Sequence, residues 1–135
     1  MSALFLVIGA VFVGVAAAIH VLIFALESVL WTRPATWKRF GLRSQQDADT
    51  VRPMAYNQGF YNAFLALGGA ASLVMIASAN VEREGFTLAI FVCLSMLLAS
   101  IVLVTSNPRL ARAAATQGVA PLFALIFLVL SLTTA

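Results

Sequence analysis

Four long apolar stretches dominate this chain of 135 residues: residues 3–31, 54–79, 85–106 and 114–134. Each reaches or exceeds the roughly 20 residues that a helix needs to cross a bilayer. The chain is 62% hydrophobic and 10% charged, well outside the range of soluble domains. Because the connections are short, the sequence predicts a single all-α domain, an integral membrane bundle of four transmembrane helices.

The basic residues predict the orientation of this bundle. Seven of the eight lie in the first and third connections, and only Arg83 lies in the second (the seven are Arg33, Lys38, Arg39, Arg43, Arg52, Arg109 and Arg112). Cytoplasmic connections of membrane proteins carry an excess of Lys and Arg. We therefore expect an N-out/C-out protein of the inner (cytoplasmic) membrane, with membrane lipids around it. Because these residues flank apolar segments, the net charge of +3 does not indicate a nucleic-acid partner.

Local features refine this picture. The first apolar stretch has no basic residue before it and is too long for a cleavable signal. Cys93 is the single cysteine, and we expect a buried, inert thiol. In the first connection, Trp37 and Phe40 indicate a short interfacial segment, although an unstructured basic loop is an equal alternative. Pro53 is placed for the start of the second helix.

The first apolar stretch contains two ionisable side chains, His20 and Glu27, seven residues apart on one helical face. Ionisable groups within membrane helices are costly and commonly mark functional sites. Trp31 continues the same face, where a tryptophan is typical of an interfacial anchor, as is Trp37. The alternatives without a functional role are that Glu27 snorkels to the interface and that His20 forms a structural hydrogen bond with Tyr61 or Asn62.

Further polar residues are expected at the same depth. The second helix begins at the cytoplasmic side with Asn57, Gln58, Tyr61 and Asn62, which cover about 140° of its surface. Its small residues 68–72 favour close helix packing. The fourth helix carries Gln117 near that side, and if the helix has begun there, Pro121 frees the Gln117 carbonyl. The sequence thus predicts a polar pocket in the cytoplasmic half, although some amides could serve only as interhelical glue.

The residues His20, Glu27 and Trp31, followed by Phe40-Gly41-Leu42 and the string Asn57-Gln58-Gly59-Phe60-Tyr61-Asn62, resemble a known family. They are similar to small membrane proteins catalogued as domain of unknown function 1304, and Gln117-Gly118 with Pro121 adds to the resemblance. It covers nearly the whole chain and implies a four-helix membrane fold. It also implies that His20, Glu27, Asn57, Gln58, Tyr61, Asn62 and Gln117 are motif positions, but it supplies no reaction.

Three functions fit these residues. The first is binding of a small lipophilic ligand, with cofactor-free acid–base catalysis by His20 and Glu27; Asn57, Gln58, Tyr61, Asn62, Gln117 and Trp31 would bind the ligand. The second is a small proton-coupled exporter, and the third is a structural or assembly protein, with a homo-oligomer compatible with each. One histidine and one glutamate make a metal site a weak hypothesis, so we expect no metal and no cofactor.

Overall fold

The computed structural model describes residues 2–133, and over these it is all-helical. Helix α1 (Ala3–Phe24) continues into a π-helical turn, Ala25–Val29. A short helix α2 (Pro34–Trp37) and a 3-10 turn (Lys38–Phe40) lead to α3 (Gln45–Ile76). Helix α4 (Glu82–Ser106), a 3-10 turn (Pro108–Leu110) and α5 (Ala111–Thr133) complete the described part.

Four of these segments are long and apolar enough to cross a membrane: Ala3–Val29, Gln45–Ile76, Glu82–Ser106 and Pro108–Thr133. This confirms the four predicted spans and makes the chain a multi-pass membrane protein. The last predicted segment extends to residue 134, which lies outside the described residues. Helix α1 packs against α3 and α5, and α4 packs against the same two helices. The bundle is therefore a four-helix square in which neighbours along the chain are antiparallel.

Small residues bring the helices close together. A Cβ atom added to Gly69 would lie 3.2 Å from the Ala17 Cβ, and one added to Gly9 would lie 3.0 Å from Leu128 side-chain atoms. The predicted close packing within residues 68–72 is confirmed for Gly68, Gly69 and Ser72, whereas the other two residues are exposed. Cys93 is buried in the core beside Val13 and Leu128, as expected.

Helix α3 begins earlier than expected. The sequence places its start near Pro53, but the helix already begins at Gln45, so Pro53 is an interior residue. The Ser44 Oγ accepts a hydrogen bond from the Asp47 backbone N–H at 3.0 Å, which caps the first turn. Ala48 and Ala55 then pack against Trp31 and Trp37. Capping and this apolar contact outweigh the missing N–H of the proline.

The tryptophan contacts lie at the end of the bundle where α1 ends and α3 begins. The connections at this end, with the first turns of the helices that follow them, hold seven of the eight basic residues, and we call it the basic end. The first connection consists of helical turns here rather than an unstructured loop. Both tryptophans are buried against protein, Trp31 at 6% exposure and Trp37 at 4%.

Candidate functional site

Glu27 lies in the middle of the π-helical turn Ala25–Val29. The turn is defined by its wider hydrogen bond, from the Leu30 backbone N–H to the Ala25 carbonyl at 2.8 Å. A π turn accommodates one extra residue, which re-aims the side chains near it, and such turns are frequent at functional sites. The Glu27 side chain is buried, with 8% of the residue exposed. It therefore does not snorkel to the surface.

The carboxylate of Glu27 contacts Asn62 of α3. The Asn62 Nδ2 donates to the Glu27 Oε2 at 3.0 Å and to the Gln58 carbonyl at 3.1 Å. Both hydrogens of this amide group are thereby used, because both partners are acceptors. No basic side chain of residues 2–133 lies within ion-pairing distance of the carboxylate. The pair is thus an acid held by one neutral donor between two membrane-spanning helices.

Gly59 allows α3 to approach the π turn this closely. A Cβ atom at residue 59 would collide with the Ser28 Oγ and lie 3.1 Å from both the Glu27 Cβ and the Ser28 backbone nitrogen. The Ser28 hydroxyl donates to the Tyr56 carbonyl at 2.9 Å. The π turn is therefore held to α3 at Glu27 and at Ser28. Tight backbone approach and a side-chain hydrogen bond are the usual means of helix association in membranes.

His20 is almost fully buried at 1% exposure, but its partner differs from the two considered from the sequence. Its Nδ1 lies 2.8 Å from the carbonyl of Ala16, one turn back on the same helix, rather than near Tyr61 or Asn62. Because a carbonyl only accepts, Nδ1 carries the hydrogen, and in the neutral ring Nε2 is an acceptor. Among residues 2–133, no hydrogen bond joins Nε2 to a partner, or His20 to Glu27.

The other three predicted site residues of α3 lie on its outer face. Asn57, Gln58 and Tyr61 are exposed, Tyr61 at 55%. Around the helix, Tyr61 lies about 100° and Asn57 about 140° from Asn62. The buried face is instead formed by residues at three- and four-residue spacing, namely Ala55, Gly59, Asn62, Ala66 and Gly69. The structure brings Asn62 to Glu27 and leaves the other three side chains on the surface.

Gln117 and Trp31 make no hydrogen bond to the pair within residues 2–133. Helix α5 has begun before Gln117, so the expected loss of its carbonyl's donor to the interior Pro121 is confirmed. The Gln117 residue is half-buried, and the next residue, Gly118, lies directly against Ser100 of α4. Trp31 donates from Nε1 to the Ala48 carbonyl at 2.9 Å, which uses its one polar hydrogen in a contact within the protein.

Aromatic rings cover the seam between α1 and α3 beside Glu27. The rings of Phe24 and Phe60 meet edge to face, with centroids 5.2 Å apart, and Tyr56 lies 5.0 Å from Phe60. Phe24 and Phe60 are half-buried, whereas Tyr56 is 54% exposed. We call these three residues the aromatic seam. In the chain, Phe24 lies three residues before Glu27, and Phe60 follows Gly59, which touches the π turn.

Two features of the site could not be found from residue types alone. Ser28 and Gly59 form the contact between the helices, and only the small size of Gly59 within the Asn-Gln-Gly string hinted at it. The π turn has no sequence signature. Within residues 2–133, no group of three or more His, Cys, Asp or Glu side chains is arranged to hold a metal ion.

A family model described as "Protein of unknown function (DUF1304)" matches residues 14–129, which include every residue of the site described above. Comparisons with curated proteins and with solved structures give no match. The family model covers most of the chain, including the π turn, Gly59, Asn62 and Pro121. The chain therefore belongs to this family of proteins of unknown function.

Proposed function

We propose that this membrane protein binds a small lipophilic molecule at Glu27 and Asn62, in the half of the bundle predicted to face the cytoplasm. The observation that carries the proposal is a buried carboxylate, held on a π turn by one amide, with no cation in reach among residues 2–133. Burying an acid without a counter-charge is costly. A purely structural contact would not require an ionisable group there.

We propose that the ligand enters laterally from the lipid bilayer and passes the aromatic seam to reach Glu27. Packing around Glu27 is close, because Gly59 touches the π turn, so the two helices must separate slightly to admit a ligand. The position of Glu27 on a π turn supports such a role, since these turns are frequent at functional sites. Glu27 would then contact the ligand directly and serve as its acid or base, with His20 as a second, deeper group.

Extraction of the purified protein tests this proposal. The full chain, purified from membranes in mild detergent, is extracted with organic solvent, and the released small molecules are quantified by mass spectrometry. We expect a near-stoichiometric molecule with the natural protein and about a tenfold lower amount with Glu27→Gln, since a charged hydrogen bond contributes about 1.5–3 kcal/mol. Asp49→Asn, which changes an exposed carboxylate of α3, is the matched control.

A structural role for the Glu27–Asn62 pair predicts a different result. In that case no molecule is retained, or the amounts from the natural protein and Glu27→Gln are equal, and either outcome overturns the proposal. Circular dichroism and gel filtration of both proteins show whether the variant is folded. A proton-coupled exporter would also retain its cargo at Glu27, so it would be distinguished by efflux driven by a pH gradient in proteoliposomes.

A further inference from the structure

Hydrogen-bond donors are scarce at the Glu27–Asn62 site. The carboxylate is an acceptor, and both hydrogens of the Asn62 amide are already used by the Glu27 and Gln58 oxygens. What remains for a ligand is the second carboxylate oxygen and the Asn62 Oδ1, both acceptors. The hydroxyl of Ser28 is also used, because it donates to Tyr56. A ligand that bonds these atoms must itself supply the hydrogens.

Positive charge is absent as well. In the part of the chain that the structure describes, no lysine or arginine pairs with Glu27, and seven of the eight basic residues lie in the connections and the helix starts of the basic end. An anionic ligand head group would therefore face an acid without any compensating cation. A neutral head group would leave the buried acid uncompensated, so that it would either carry an unbalanced charge or take up a proton. Only a cationic head group offsets the negative charge of the ionised acid.

The aromatic seam fits the same kind of ligand. Phe24 meets Phe60 edge to face, Tyr56 lies against Phe60, and Phe60 follows Gly59, which touches the π turn of Glu27. The faces of aromatic rings attract ammonium groups, and the attraction increases when water is excluded. The edges and faces of the same rings accommodate an alkyl chain. A carboxylate on the π turn, with aromatic rings nearby in the chain, is thus suited to an ammonium group that carries an apolar tail.

We infer that the ligand of the Glu27–Asn62 site is a lipophilic amine bound as its ammonium form. The inference rests on the proposed function and deepens it by naming the chemical class of the ligand. The ammonium group donates to the free Glu27 oxygen and to the Asn62 Oδ1, and it lies against the aromatic seam. The alkyl tail extends from the seam into the surrounding lipid.

Three photoreactive probes with one tail and different head groups test this inference. Each carries a dodecyl chain with a diazirine, ending in an ammonium, a hydroxyl or a carboxylate group. The full chain in lipid nanodiscs is irradiated with each probe, and labelled peptides are quantified by mass spectrometry. We expect the ammonium probe to label residues 24–30 and 56–62 about tenfold more than either other probe, from one charge-assisted hydrogen bond.

Variants separate the contributions of the carboxylate and the rings. Glu27→Gln should abolish the preference for the ammonium probe, whereas Asp49→Asn should keep it. Phe60→Leu should lower ammonium labelling about threefold, from the lost cation–π contact, while Phe91→Leu, an exposed position on α4, should not change it.

The inference is overturned if the hydroxyl or carboxylate probe labels these segments as strongly, if the preference survives Glu27→Gln, or if no probe labels them. None of these results bears on the extraction experiment, which detects a retained molecule of any class. A retained acid or alcohol would keep the proposed function and refute only the amine.

Discussion

The two buried tryptophans at the basic end differ in one hydrogen bond. Trp31 and Trp37 are 6% and 4% exposed, and both pack in the cluster with Ala48 and Ala55. The Trp31 Nε1 donates to the Ala48 carbonyl at 2.9 Å, whereas the Trp37 Nε1 is buried without a partner among residues 2–133. Phenylalanine removes the N–H and a similar volume at each position, so the two substitutions form a matched pair.

Trp31→Phe should therefore destabilise the protein more than Trp37→Phe. The first loses a hydrogen bond, which contributes about 1 kcal/mol, while the second removes a buried donor that has no partner. The Lys38 ammonium, 5.6 Å from the Trp37 ring centroid, keeps an aromatic ring beneath it in Trp37→Phe. Free energies of unfolding from denaturant titration in detergent measure the difference, and equal losses, or the reverse order, would contradict the assignment.

Gly59 offers a second test at the scale of one residue. Gly59→Ala should lower the free energy of unfolding by about 1–3 kcal/mol, because its Cβ would overlap the Ser28 Oγ and crowd the π turn. Gly14→Ala is the control, since its Cβ would lie 3.7 Å from Leu73, an ordinary contact. If Gly59→Ala and the control have the same midpoint of thermal unfolding, the π turn accommodates the added methyl group without loss of stability, and the prediction is wrong.

At the scale of the element, the early start of α3 is the feature that needs explaining. Residues 44–53 are polar and appear loop-like, so the apolar stretch alone places the start near Pro53. The signal for the true start is Ser44 followed by Asp47, an N-cap arrangement. Ala48 and Ala55, spaced seven residues apart, face the two tryptophans. The tryptophans come from the preceding connection, so hydropathy along α3 does not reveal their contribution.

Pro53→Ala should make this first part of α3 more rigid. Proline in a helix interior costs about 3 kcal/mol, and alanine would restore a hydrogen bond to the Asp49 carbonyl. We expect slower amide hydrogen exchange over residues 45–52, by about tenfold or more. Pro34→Ala is the control, because Pro34 is the first residue of α2, where no intrahelical partner is lost. Unchanged exchange in Pro53→Ala would show that this turn is held by the tryptophans alone.

At the scale of the whole molecule, the antiparallel square places the first and third connections at the same end. The basic residues of both connections, with those of the helix starts that follow them, therefore form one charged end, while the opposite end has only Arg83, in the first turn of α4 between Glu82 and Glu84. This charge asymmetry predicts that the basic end is cytoplasmic.

Single cysteines test that orientation. Thr32 and Ala79 are exposed residues at opposite ends, and the native Cys93 is buried, so it gives little background. In right-side-out spheroplasts, Ala79→Cys should react with a membrane-impermeant maleimide, and Thr32→Cys should react only after the membrane is permeabilised. Mass-tag shifts on gels measure both reactions, and the reverse pattern would mean that the basic end faces outward.

The sequence by itself determined the number of spans, the helical class, the family and the asymmetry of charge. These properties follow from the order of apolar and charged residues in the chain. In lipid, a long apolar stretch must form a helix, because its backbone N–H and C=O groups can bond only to each other. The importance of Glu27 also came from the sequence, because an acid in such a stretch is conspicuous.

Only the tertiary structure decided which polar side chains meet. Asn57, Gln58, Tyr61 and Asn62 were equivalent as residue types, yet only Asn62 faces Glu27. Which residue faces Glu27 depends on the rotation of α3 about its own axis. That rotation places Gly59 and Gly69 against α1. The π turn at Glu27 lies where α1 meets α3, and no local sequence pattern predicts it. Packing between helices, which sequence patterns do not show, determined that only Glu27 and Asn62 form a buried pair.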